Sequence, residues 1–162
     1  MKKGIAALLA LILALALTAC GTAPAGPEAS PAATPAQNPS GSVAGMTFTV
    51  KNVTRMDLTE GAQLALVECD VINNTDTEQF FSSLKNFRAM DTEGNTLACD
   101  IEALREAAAR KPDIVTLDGK ADPGGTVSGA LYFKTEKGVL IDSVTFEPLL
   151  NAESVTVRLG GK

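Results

Sequence analysis

The amino-acid sequence predicts an all-β body, an antiparallel sandwich of about seven or eight short strands that carries one short helix. Three observations point there. Several short runs alternate apolar and polar side chains with the period of a half-buried strand. Clusters of Asn, Asp, Thr and Gly separate those runs and read as turns. One alanine-rich stretch alone carries the start and stop signals of a helix.

The first strand is expected over Met46–Val53, where Phe48 and Val50 alternate with threonines and Lys51. A longer one spans Ala62–Ile72: Ala65, Val67, Cys69 and Val71 face one way, and Glu68 and Asp70 mark the solvent side. Asn73-Asn74-Thr75-Asp76 is a turn, and Phe80 and Phe81 resume apolar content. Phe87–Met90 and Asn95–Cys99 form the arms of a hairpin around Asp91-Thr92-Glu93-Gly94. The helix covers Ile101–Lys111: Asp100 caps it, Glu102 sits at the positive end of its dipole, and Pro112 stops it. Its apolar residues Ile101, Leu104 and Ala108 share a face, and at three turns it must lie across an end or face of the sheet. Further strands are expected at Ile114–Leu117, Thr126–Phe133, Ser143–Phe146 and Ser154–Leu159.

Two segments precede this body. Lys2 and Lys3 open the chain, and Gly4–Leu17 is a 14-residue run without a charge. That is short of the ~20 apolar residues a spanning helix needs and matches the core of a signal peptide. Leu17-Thr18-Ala19-Cys20 then looks like a bacterial lipobox, in which Cys20 becomes the lipid-bearing N-terminus. Residues 21–45 hold five prolines among Ala, Ser, Thr and Gly, a composition that favours a solvated stalk over a packed core. The expected organisation is a leader at 1–19, lipidated Cys20 and linker to 45, and a sandwich domain at 46–162. A body of about 115 residues can bury its own core without metals.

Composition narrows the function classes. The formal charge is −5, and loss of Lys2 and Lys3 with the leader makes it −7. No basic stripe interrupts that balance, which disfavours nucleic acid as a partner. Histidine, the usual base near neutral pH and the commonest metal ligand, is absent. No cofactor or metal site is expected. The two remaining thiols, Cys69 and Cys99, are either a disulfide of an extracytoplasmic domain or two packed free cysteines. Asp91-Thr92-Glu93-Gly94 is either a weak calcium loop or, more simply, a turn chosen for its backbone geometry. Asn52-Val53-Thr54 and Asn73-Asn74-Thr75 match a glycosylation sequon by chance, and Ser82 and Lys85 have only the spacing of a Ser/Lys pair within a region of strands.

The order of NVTRMD, VINNTD, NFRAMDTEGNTL, DPGGTVSGALYF and VTVRL resembles a family of immunoglobulin-like ectodomains on Gram-positive lipoproteins. It is classed as a domain of unknown function, and its members are often mislabelled telomeric-repeat-binding-factor-like. The resemblance covers about residues 46–160 and rests on Asn73-Asn74-Thr75, Asp91 through Gly94, and Pro123-Gly124-Gly125 leading to Gly129 and Phe133. The alanine-rich helix stands where the family has a loop. The resemblance implies an immunoglobulin-like sandwich at the cell surface and supplies no catalytic residues. The expected function is therefore a non-catalytic binding module, tethered by lipid to the outer face of the membrane. Its partner would be an envelope protein, wall polymer or small ligand; the alternative is a structural subunit of an envelope complex.

Overall fold

The computed structural model describes residues 38–58 and 61–160. The expected leader, Cys20 and most of the expected linker lie outside the described residues. Within them the elements are β1 (Ser40–Val43), β2 (Met46–Asp57), β3 (Ala62–Asn73), β4 (Gln79–Phe81), α1 (Ser83–Asn86), β5 (Phe87–Asp91), β6 (Thr96–Leu97), α2 (Ile101–Arg110), β7 (Gly119–Ala121), β8 (Thr126–Glu136), β9 (Ile141–Phe146) and β10 (Val155–Arg158). The body is an all-β sandwich. One antiparallel sheet has the order β1-β2-β3-β8, the other β10-β9-β5-β6, and β4 pairs with β7 beside them.

Side-chain alternation builds the main core between the two sheets. Val67, Cys69 and Val71 of β3 are fully buried there with Phe48, Phe87, Phe133 and Phe146. The rings of Phe87 and Phe146 stack at 5.1 Å, and Phe48 leans on both at 5.5 and 6.0 Å. Each such ring contributes about 1.5–3 kcal/mol by leaving water. A β-bulge at Lys51 leaves that residue without a partner between the pairs Val50–Cys69 and Asn52–Glu68. The extra residue switches which parity faces inward, so Phe48 and Val50 enter the core before it and Val53 follows after it.

A second, smaller core lies on the outer face of the same sheet. Leu64, Leu66, Ala130 and Tyr132 pack there under Ala103 and Ala107 of α2. This satisfies the expectation that the helix crosses the sheet, but it changes which face does so. The buried positions are Ala103 and Ala107, spaced i and i+4, while Ile101 is 44% exposed. The sheet already supplies large side chains, so the helix turns its small ones down at the closest approach, with half-buried Leu104 packing beside them. Asp100 caps it as expected, its carboxylate accepting the Ala103 N–H at 2.9 Å. Glu68 and Asp70 keep the outer face polar only beyond the helix; Leu64 through Val67 are buried on both faces.

Three expectations need correction. The sheet begins inside the presumed linker, because Ser40–Val43 pairs with Met46–Thr49 through the two-residue turn Ala44-Gly45. Both turn residues have positive φ, 49° and 74°, the twist that a tight hairpin requires; Ala-Gly lacks the asparagine that usually signals it. Between Phe81 and Phe87, where the sequence predicts no element, Ser83–Asn86 forms the single turn of α1. Ile114–Leu117 makes no full strand: Thr116 forms one parallel bridge to Ala130 at the free edge of β8. That bridge depends on Gly129, where a Cβ would stand 2.6 Å from the Thr116 carbonyl carbon and oxygen. Gly129→Ala is expected to cost about 2 kcal/mol of stability by forcing the 115–117 segment off the edge. Urea unfolding followed by circular dichroism measures it.

Candidate functional site

The cysteines are the first residues to place. Cys69 and Cys99 are free thiols in the structure. Cys69 pairs across to Gly129 from one side of β8, and Cys99 bridges to Phe133 from the other. With β8 between them, their backbones stand at least ~10 Å apart, two inter-strand spacings, whereas a disulfide needs Cα atoms within about 7 Å. Burial pushes the Cys69 thiol far above its usual range and the Cys99 thiol up to about 11. Cys20 lies outside the described residues.

Asn73 is the most connected polar side chain. It is fully buried, and its amide donates to the carbonyls of Thr77 at 2.8 Å and Ala121 at 3.0 Å. Its Oδ1 accepts from the Thr75 N–H at 3.0 Å and the Thr75 hydroxyl at 2.6 Å. Its own backbone exchanges bonds with Gly124 and Gly125. The Asn73-Asn74-Thr75 and Pro123-Gly124-Gly125 motifs, far apart in sequence, are thus one joint. Burial also removes Asn73 from reach of any modifying enzyme.

Asp91 does the same for its hairpin. One carboxylate oxygen accepts from the Glu93 and Asn95 N–H groups, at 2.9 and 2.8 Å, and the other from the Asn95 amide at 3.0 Å. Burial pushes its pKa up, yet the bonds from Asn95, Glu93 and Gly94 outweigh that and hold it below the usual carboxylate range. Both oxygens serve the turn. The spacing pair resolves differently: Ser82 begins α1 without capping it, and Lys85 is exposed. The neighbouring Ser83 is the buried serine. Its N–H and hydroxyl donate to the Asp118 carboxylate at 2.9 and 3.0 Å, and its oxygen stands 3.0 Å from the Tyr132 hydroxyl. Asp118 thereby caps α1 from a distant loop. Asn86 closes the other end, accepting the Ser82 N–H at 2.7 Å and donating to the Glu147 carbonyl at 2.7 Å. Sequence reading missed this network because its partners are 35 to 61 residues apart.

Among the described residues, no cluster of three or more His, Cys, Asp or Glu side chains could hold a metal ion. The concave surfaces are elsewhere. A groove of about 420 Å³ lies outside the first sheet, lined by Leu66, Ala130, Ile114 and Val115 together with charges of both signs, Lys51 and Lys111 beside Glu68 and Asp113. Lys51 is held 2.8 Å from Asp70, whose pKa burial raises but Lys51 and Ser128 lower further. Such a groove can seat an apolar side chain between charges of both signs. A second concavity, about 360 Å³, follows the edge of β2 past Val53, Arg55 and Leu159.

Two measurements check this reading. Asn73→Ala is expected to lose about 3 kcal/mol or more, because it strands several buried backbone groups; Asn74→Ala, at an exposed position, should change stability by less than ~0.5 kcal/mol. Denaturant midpoints of the two variants decide it. Iodoacetamide at pH 8 should leave Cys69 and Cys99 unmodified in folded protein without reductant, and modify both once urea is added. A mass showing two fewer protons and no reaction in urea would instead report a bridge.

Residues 37–154 match the family described as Domain of unknown function (DUF4352). No curated protein matches the chain. Among solved structures it is similar to a "putative lipoprotein (ycdA)" from Bacillus subtilis subsp. subtilis str. 168, at 15% identity and a TM-score of 0.57. That match covers 77% of this chain, which spans only 39% of the Bacillus subtilis protein. It is also similar to a conserved hypothetical protein from Bacillus anthracis, at 15% identity and a TM-score of 0.51, over 75% of this chain and 93% of the other. At such identity the likeness shows a shared fold. The profile match extends across most of the sequence, and the chain belongs to the DUF4352 family.

Proposed function

We propose that the chain is a lipid-anchored, extracytoplasmic module of the bacterial envelope that works by binding rather than by catalysis. Leu17-Thr18-Ala19-Cys20 supplies the anchor, and the similarity to a protein described as a lipoprotein supports the location. The strand order supports an immunoglobulin-like reading: β2, β3 and β8 correspond to strands A, B and E, and β10, β9, β5 and β6 to G, F, C and C′. The observation that carries the binding reading is where the polar chemistry goes. Asn73, Asn86 and Asp91 are buried with their side chains bound to backbone, and buried Ser83 is bound to Asp118 and Tyr132. What remains for a partner is surface: sheet edges and open grooves on a rigid frame.

Cys20→Ala tests the anchor in the producing cell. The native chain should take up a palmitate analogue and stay with membranes, and the variant should lose the label and enter the medium. Membrane retention of an unlabelled variant would overturn the tether. Crosslinking in intact cells should then capture a partner through the body only while the chain is anchored.

A further inference from the structure

β2 is twelve residues long, but β1 covers only Met46–Thr49. From Asn52 to Asp57 its second edge has no partner strand among the described residues. The direction of the free backbone groups follows from the ladder. The Leu58 N–H donates to the Ala62 carbonyl, closing the hairpin, so even-numbered residues after the bulge turn their polar groups toward β3. Val53, Arg55 and Asp57 turn theirs outward. Two contacts agree with this: Asn52 Oδ1 accepts the Val53 N–H, and Arg110 donates to the Asp57 carbonyl. The Val53 carbonyl and both backbone groups of Arg55 are left facing out, a complete rung for one more antiparallel strand.

The surface beside that rung has a sign. The 360 Å³ concavity along it is lined by Lys51 and Arg55 and by no carboxylate, but Lys51 is already paired with Asp70 at 2.8 Å, which leaves Arg55 to set its sign. Arg55 is exposed, and among the described residues it has no ion-pair partner. The chain as a whole is acidic, but charges beyond about 8 Å are largely screened at physiological ionic strength, so the local charge of Arg55 decides.

We propose that the Val53–Asp57 edge of β2 is a strand-addition site for an extended acidic segment of a partner protein. Its backbone would pair with Arg55, and an alternate carboxylate would reach the Arg55 guanidinium. The proposal rests on the reading of the body as a binding module and adds the partner's chemistry to it. The bulge at Lys51 and the Asn52 contact to Val53 shorten the usable edge, which limits pairing to a few residues and so to a transient complex.

The test uses the purified full chain in detergent and a blocked heptapeptide alternating glutamate with valine; in the control peptide lysine replaces glutamate. At saturation the Arg55 amide should exchange its hydrogen at least tenfold more slowly, with Thr54 and Met56 unchanged because β3 already holds them. The lysine peptide should bind at least tenfold more weakly, and Arg55→Glu should reverse that preference with an unchanged melting temperature. Unaltered Arg55 exchange, or equal binding of the two peptides, would overturn the proposal. So would protection of Arg55 without peptide that rises with protein concentration, since a second copy would then occupy the edge. Protection lost on deleting residues 21–37 would assign the edge to the chain's own linker and overturn it likewise. None of these outcomes alters palmitate labelling, so failure here is distinct from failure of the anchor.

Discussion

The sandwich depends most on one buried amide. Asn73 ends β3 at the point where the chain leaves the first sheet, and its side chain has four hydrogen-bond partners in its own turn and in β7. An aspartate could not donate to the Thr77 and Ala121 carbonyls, and an apolar side chain could not satisfy any of the groups. The cost of desolvating an amide is met only because every one of its bonds is made. Around this joint the Gly124-Gly125 turn delivers β8 back to β3 in register, and β8 in turn presents Phe133 to the main core and Tyr132 to Ser83.

The same logic runs through the residues that carry the family resemblance. Asn73, Asp91 and Gly129 each solve a backbone problem: a crossing, a tight hairpin, and a close approach of two chain segments. Motifs of this kind mark an architecture rather than a reaction.

Much of the fold was legible in the sequence. Period-two alternation located β2, β3, β8 and β9, and the capping logic at Asp100 placed α2 within a residue of its end. What escaped has specific causes. β1 was hidden in a proline-rich stretch because its turn is Ala-Gly and its pairing is only four residues long. The inward face of α2 was only partly placed: Leu104 packs on the sheet, but Ala103 and Ala107 rather than Ile101 are buried, because apolar size is a poor guide when the opposing sheet already carries Leu64, Leu66 and Tyr132. The Ser83–Asp118–Tyr132 network left no local signal, since its order comes entirely from tertiary contact. The cysteines were ambiguous for the same reason: sequence places both on strands but cannot say that β8 runs between them. The edge of β2 was invisible until the short reach of β1 was known.

The pairing of β3 with β8 has a kinetic side. Their register joins Ile72 to Thr126, so the intervening residues, including β5 and α2, form a loop that must close before the central ladder can grow. Loop-closure entropy opposes that step before any contact rewards it, and chains dominated by such distant pairings fold in milliseconds to seconds rather than microseconds. The hydrogen bonds between Asn73 and the Gly124-Gly125 turn sit at the mouth of this loop. They act where the search for register ends, and folding time is the quantity on which the long crossover leaves its mark.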